Sequence, residues 1–184
     1  VYADPVIAPC LVCPGSPPVG TDADVARLLC TDRLRAAGMD GRGVLLAIVD
    51  TGINLAHLKS RGRDPRVDRE RSWRPVSATD GPFEFPVGHG TMCAYDALIA
   101  APAATLLDVA VLKTQRAPEP GESPIGGLLS DAVLAYSHLL EILLLQAHRP
   151  GEAVSLVVSN SWGIFSPGWD LPVGHPGNYT DNPQ

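Results

Sequence analysis

No apolar run in these 184 residues approaches the ~18 to 20 that a helix needs to cross a bilayer, so no membrane span is expected. Basic charge is also scarce. Fourteen Lys and Arg against twenty Asp and Glu leave a net charge of -6, which excludes nucleic acid as the main partner, because gripping a phosphate backbone needs a concentrated positive surface. No Gly-x-Gly-x-x-Gly segment or Lys-bearing phosphate loop is present, which removes the generic nucleotide-binding α/β module. The four cysteines, Cys10, Cys13, Cys30 and Cys93, are too sparse for a disulfide-stapled scaffold. The Cys10-x-x-Cys13 pair lacks both a second ligand pair and a following helix start, so no metal site is expected. The chain opens on Val1 without a charged segment leading into an apolar core, the pattern of a processed or trimmed start.

A hydrophobic content of 45% with 18% charged residues is that of a globular chain. A domain of this length can bury roughly 70% of the surface its unfolded chain exposes.

Residues 1–20, with five prolines and two glycines, read as an extended leader lying on the domain or left loose. Residues 21–184 then form the domain. Thr21 or Asp22 caps a helix whose Val25, Leu28, Leu29 and Leu34 are spaced for one buried face, with Gly38 as its C-terminal cap.

Val44 to Val49 is a continuous apolar run between Gly43 and Thr51-Gly52, long enough for a strand covered on both faces. Asp50 ends it. An Asp before Gly can be a turn former only, but at the carboxyl end of a buried strand it also sits where α/β sheets collect reactive side chains. Residues 54–74 are polar and Arg-rich and read as a surface excursion, with His57 given no catalytic role.

Gly88-His89-Gly90-Thr91 runs into an Ala- and Leu-bearing helix, placing one imidazole near a helix start among residues small enough for close backbone approach. His89 and Cys93 are four apart and share a helical face, with Cys93 expected as a small buried residue. Residues 103–112 read as a second buried strand. A Pro- and Gly-rich loop follows to Gly127, then a helix from Ser130 or Asp131 to Gln146 with Val133, Leu134, Leu140 and Leu144 on its apolar surface. Val154 to Val158 is a third buried strand ending in Ser159-Asn160-Ser161-Trp162-Gly163. The alternation predicts an α/β fold with a parallel sheet and helical crossovers. The tail from Ile164 reads as loop, and its Asn178-Tyr179-Thr180 sequon occurs too often by chance to carry weight.

Asp50, His89 and a polar loop at a third strand end could share one crevice. A carboxylate that orients an imidazole, and an imidazole that takes a nucleophile's proton, are the parts of nucleophilic acyl transfer. The chain order Asp then His is that of the subtilisin pattern.

Three segments, Ala47-Ile-Val-Asp50-Thr-Gly52-Ile53, Gly88-His89-Gly90-Thr91 and Val158-Ser-Asn-Ser161-Trp-Gly163, resemble the first three signature segments of the subtilisin-like serine proteases, over roughly residues 38–163. The run from Ala101 to Leu106 resembles the family's passage into its next strand. The resemblance implies Asp50 as triad carboxylate and His89 as general base. Ser161, Trp162 and Gly163 would line a cleft that holds an extended peptide or protein substrate by strand-like main-chain bonds. It also implies structural calcium, for which no compact acidic loop is visible, and favours a secreted protein. Met92-Cys93 depart from the family pattern in a way expected to alter packing only, and Ser159 stands where many members have Asn. The family's nucleophilic Ser and oxyanion Asn lie well beyond the Ser-Trp-Gly segment. Residues 164–184 contain no such segment, Ser166 before Pro167 being a poor substitute, so the expectation is the N-terminal part of a catalytic domain, inactive by itself. Two other readings use the same residues: a peptide-binding protease homologue that lacks turnover, and an aspartic protease built on Asp50-Thr-Gly, which would require a second such carboxylate.

Overall fold

The computed structural model of the chain describes residues 6–9, 20–113, 126–147 and 155–163. In chain order the elements are β1 (Val6–Pro9), α1 (Asp22–Leu28), α2 (Thr31–Ala36), β2 (Val44–Val49), α3 (Leu55–Ser60), β3 (Arg66–Val67), α4 (His89–Ala100), β4 (Thr105–Val109), β5 (Gly127–Leu128), α5 (Leu129–Ala147), β6 (Ser155–Asn160) and β7 (Trp162–Gly163). A short 3₁₀ turn, Val111–Lys113, follows β4.

Four strands form a parallel sheet in the order β3-β4-β2-β6. β2 is central and its run of apolar residues is buried on both faces, as a doubly covered strand requires. Side chains alternate across it. Leu45, Ala47 and Val49 join Leu107, Val109 and the α5 residues Ala132, Ala135, Leu139 and Ile142 in one core. Leu46 and Ile48 join Leu106, Leu58 and the α4 residues Ala94 and Leu98 in the other. Each fully buried Leu, Ile or Val stabilises the fold by roughly 1.5–3 kcal/mol. This is an α/β fold with helices on both faces of a parallel sheet.

Four expectations are corrected. The third strand, β6, is not fully buried: it ends the sheet order β3-β4-β2-β6 and Val157 is 51% exposed. The helix predicted from Thr21 is two helices, because Cys30 takes a left-handed conformation at φ 53° and breaks it. Val25, Leu28 and Leu29 face outward, Leu28 being 80% exposed, and only Leu34 of the predicted face is partly buried. Polar links tie these helices to the domain instead: Thr21 and Asp24 cap α1 reciprocally, the Tyr95 hydroxyl donates to Asp22 at 2.9 Å, and Arg63 pairs with Asp22 at 3.0 Å. Gly38, at φ +76°, does follow α2 where a glycine cap belongs.

The leader is not wholly without structure. Residues 6–9 form the middle strand of a small antiparallel sheet, β5-β1-β7, in which Ile7 faces Gly127, and Ala8 and Pro9 face Gly163 and Trp162. Ile7 is fully buried against Val111, Leu112 and Ala132.

α5 buries a different face from the one expected. Ala132, Ala135, Leu139 and Ile142 enter the core, while Val133, Leu134, Leu140 and Leu144 are exposed. The helix is apolar nearly all round, so periodicity alone did not distinguish its two sides. Cys10, Cys13, most of the loop before Gly127, and the tail with Ser166 and the sequon lie outside the described residues. Among the described residues no helix is long and apolar enough to cross a membrane.

Candidate active site

Parallel pairing brings Val49 of β2 beside Asn160 of β6, so Asp50 and Ser161 leave neighbouring strand ends together. Asp50 is fixed by main-chain bonds: its N–H donates to Val109 O at 3.0 Å, and its carbonyl accepts from Leu112 N–H at 3.1 Å. Its carboxylate is 1% exposed and accepts the Thr51 N–H at 2.6 Å.

His89 opens α4, and its ring reaches that carboxylate. Nδ1 lies 2.9 Å from both Asp50 oxygens, and the His89 side chain is 13% exposed. A buried carboxylate at this distance favours the proton on Nδ1, which leaves the Nε2 lone pair free to accept another.

The glycines around the imidazole have unequal roles. A Cβ on Gly90 would stand 2.7 Å from Gly52 O and 3.1 Å from Asp50 Cβ, whereas one on Gly88 would meet nothing closer than 3.5 Å. Gly52 is required twice over, by its φ of +85° and by the Phe85 ring, 2.3 Å from an added Cβ. Thr51 and Thr91 clamp the two segments: Gly90 N–H donates to Thr51 Oγ1 at 2.9 Å, and Asn54 N–H to Thr91 Oγ1 at 3.0 Å.

Cys93 is more than the packing change expected of it. One helical turn past His89, its Sγ lies 3.8 Å from His89 Nδ1, 3.7 Å from Asp50 Oδ2 and 3.4 Å from Ser161 Oγ. Burial pushes its thiol above the ordinary range, the Ser161 hydroxyl opposes this, and the nearby Asp50 carboxylate adds to it. Cys93 is therefore a protonated thiol rather than a ready nucleophile. The i, i+4 spacing was visible in the sequence; the approach to Asp50 and Ser161 is tertiary.

Ser161 is thus close to the Asp50–His89 pair through Cys93, while Trp162 and Gly163 continue into β7 and pair with Pro9 and Ala8. His57 belongs to α3 and lines a separate cavity of about 510 Å³, with Arg61, Met92, Tyr95 and Asp96, that includes neither Asp50 nor His89.

Asp108 escaped the sequence reading. Fully buried in β4, it accepts from Phe83 N–H at 2.7 Å and Ile53 N–H at 3.2 Å through Oδ2, while Oδ1 has no partner among the described residues. Burial raises its pKa to about 7, although both N–H donors and the Arg69 and Lys113 charges pull the other way. It ties the loop carrying Phe83, itself at φ 68°, to the turn after Asp50.

Among the described residues, Asp50, His89 and Cys93 are the one group of ligand-type side chains close enough to hold a metal ion. One carboxylate beside an imidazole and a sulfur does not suit calcium, which takes six to eight oxygens. No protein-family model matches the chain, and neither a curated protein nor a solved structure matches it at a significant level.

Proposed function

We propose that this chain contributes the aspartate and histidine of a subtilisin-like serine endopeptidase that hydrolyses peptide bonds through an Asp-His-Ser triad. The observation that carries the reading is the buried Asp50 carboxylate 2.9 Å from His89 Nδ1, which holds the ring with Nε2 as the free base. A serine hydroxyl outside the described residues would attack the substrate carbonyl as Nε2 takes its proton. The imidazolium, stabilised by Asp50, then returns that proton to the leaving amine. The segments that resemble this family hold Asp50, His89 and Ser161 in one neighbourhood, which supports their being parts of one site.

Trp162 and Gly163 are proposed as peptide-binding strand residues, since β7 already accepts an extended segment, Ala8–Pro9, as its neighbour. A substrate approaching on that side must displace β1. The aspartic-protease reading is less favoured, because the Asp50 carboxylate is engaged by an imidazole rather than by a second carboxyl group. The reading as a peptide-binding homologue without turnover has one observation behind it: no hydroxyl among the described residues hydrogen-bonds His89 Nε2.

The deciding experiment treats the full natural chain with a fluorophosphonate and assays peptide hydrolysis, in the parent and in His89→Ala. The expected result is one labelled Ser in the parent, with labelling and hydrolysis both lost in the variant. Hydrolysis indifferent to His89→Ala sinks the proposal. Peptide binding without labelling or cleavage replaces it with the binding-homologue reading.

A further inference from the structure

Three ligand atoms of different softness meet at the end of β2. His89 Nδ1 is 2.9 Å from Asp50 Oδ2, Cys93 Sγ is 3.7 Å from that oxygen, and Sγ is 3.8 Å from Nδ1. A point equidistant from these atoms lies about 2.0 Å from each, and a small displacement from their plane brings it to the ~2.0–2.3 Å that zinc adopts with oxygen, nitrogen and sulfur ligands. Ser161 Oγ, 3.4 Å from Sγ, is near the spacing of about 3.6 Å between sulfur and oxygen corners of a zinc tetrahedron, so a hydroxyl or water can complete the shell there. Sγ also lies 4.0 Å from His89 Nε2, over the face of the ring, so the imidazole must turn to aim Nδ1 at the cation, while the other two ligand atoms need little rearrangement. Asp50 is locked by its strand-end bonds, and His89 and Cys93 are one turn apart on α4.

We infer that Asp50, His89 and Cys93 form an inhibitory site for a divalent cation of the zinc class. The inhibitory part rests on the general-base role proposed for His89; the metal site itself does not. Coordination takes the Nδ1 lone pair, so the proton that Nδ1 shared with Asp50 moves to Nε2. The Cys93 thiol releases its proton to solvent and binds as thiolate. The cation then faces one carboxylate, one thiolate and one neutral imidazole, and its charge is balanced. Nε2, now carrying N–H, has no lone pair with which to accept a nucleophile's proton. Metal binding and general-base catalysis therefore exclude each other. Thiolate and imidazole select zinc-like ions over magnesium and calcium.

The probe is Co²⁺, added to the full natural chain with every cysteine except Cys93, Cys10, Cys13 and Cys30 among them, replaced by Ser so that Cys93 is the sole thiol. The expected result is a thiolate-to-cobalt charge-transfer band that saturates at one equivalent, is displaced by Zn²⁺ and survives a hundredfold excess of Mg²⁺. In His89→Ala, which keeps the thiol, cobalt affinity falls at least tenfold. A parent without the band, or a His89→Ala variant binding cobalt like the parent, overturns the proposal; the parent spectrum requires no site variant to fold. Peptide hydrolysis separates the two claims. In metal-free buffer the parent cleaves peptide, and the Zn²⁺ concentration for half-inhibition rises at least tenfold in Cys93→Ala. Hydrolysis equally zinc-sensitive in both chains overturns the inhibitory role. A cobalt band without any metal-free hydrolysis sinks the endopeptidase reading and leaves the metal site standing.

Discussion

Gly90 and Gly52 approach so closely that a Cβ on Gly90 would sit 2.7 Å from the Gly52 carbonyl oxygen. This contact seats the first turn of α4 against the turn after β2 and so lets the His89 ring reach Asp50. Gly90→Ala must push the helix start away. The expected loss is about 1–3 kcal/mol of stability from overpacking, with roughly a hundredfold fall in kcat/KM from a misplacement on the scale of 1 Å. Gly88→Ala is the control, because its Cβ would make only ordinary contacts, with Thr51 Oγ1 at 3.5 Å and Pro86 O at 3.8 Å. Denaturant midpoints and peptide hydrolysis measured on both variants decide the matter, and equal behaviour of the two would remove the steric argument.

Asp50→Asn tests the tautomer. An amide keeps the shape of the carboxylate but cannot hold the Nδ1 proton on both of its terminal atoms, and it cannot neutralise imidazolium. kcat should fall by about 10⁴ with KM little changed, the size seen when a triad aspartate is replaced this way. Combining it with His89→Ala should cost little more than the larger single loss, since the residues act as a unit. Additive losses in steady-state kinetics would mean that the two act separately.

Asp108 gives stability a pH dependence of defined sign. Its pKa rises from 3.8 in the unfolded chain to about 7 in the fold. The folded state therefore keeps a proton that the unfolded state releases, and the stability linked to it is complete below about pH 4 and lost as pH rises to about 7. Asp108→Asn cannot ionise and escapes that loss. The stability difference between variant and parent should shift in favour of Asn by up to roughly 4 kcal/mol between pH 4 and pH 8. Urea titrations of both chains at the two pH values measure it; a constant difference would show that Asp108 stays ionised in the fold.

What was readable in the sequence follows the range of the interactions. β2, from Val44 to Val49, was predicted with its observed ends, because an unbroken apolar run between glycines is a local signal. His89 at a helix start was legible for the same reason. Asp50 and Cys93 as its neighbours are tertiary facts, and only the i, i+4 spacing hinted at the second. Cys30 broke a helix that periodicity had drawn as continuous, since nothing in a Leu-Leu-Cys-Thr run announces a left-handed residue. Asp108, inside the run 103–112 read as a buried strand, drew no reading of its own. Its two N–H donors come from residues 25 and 55 positions away, and no sequence window contains all three.

Ile7 carries the last and most distant of these relationships. The segment around it has the proline content of a loose leader, yet its side chain is fully buried among Val111, Leu112 and Ala132, and its strand joins β5 to β7. Ile7→Ala should therefore destabilise the chain by roughly 2–5 kcal/mol, and Ile7→Val by about 0.5–1.5. A leader merely lying on the surface would give less than about 0.5 kcal/mol for either. The second readout is local. Loosening β1 removes the shared neighbour of Gly127–Leu128 and Trp162–Gly163, so amide exchange in both pairs should quicken in Ile7→Ala, while the central strand β2 keeps its protection relative to global unfolding. Unchanged midpoints together with unchanged exchange at residues 127–128 and 162–163 would return residues 6–9 to the leader they first resembled.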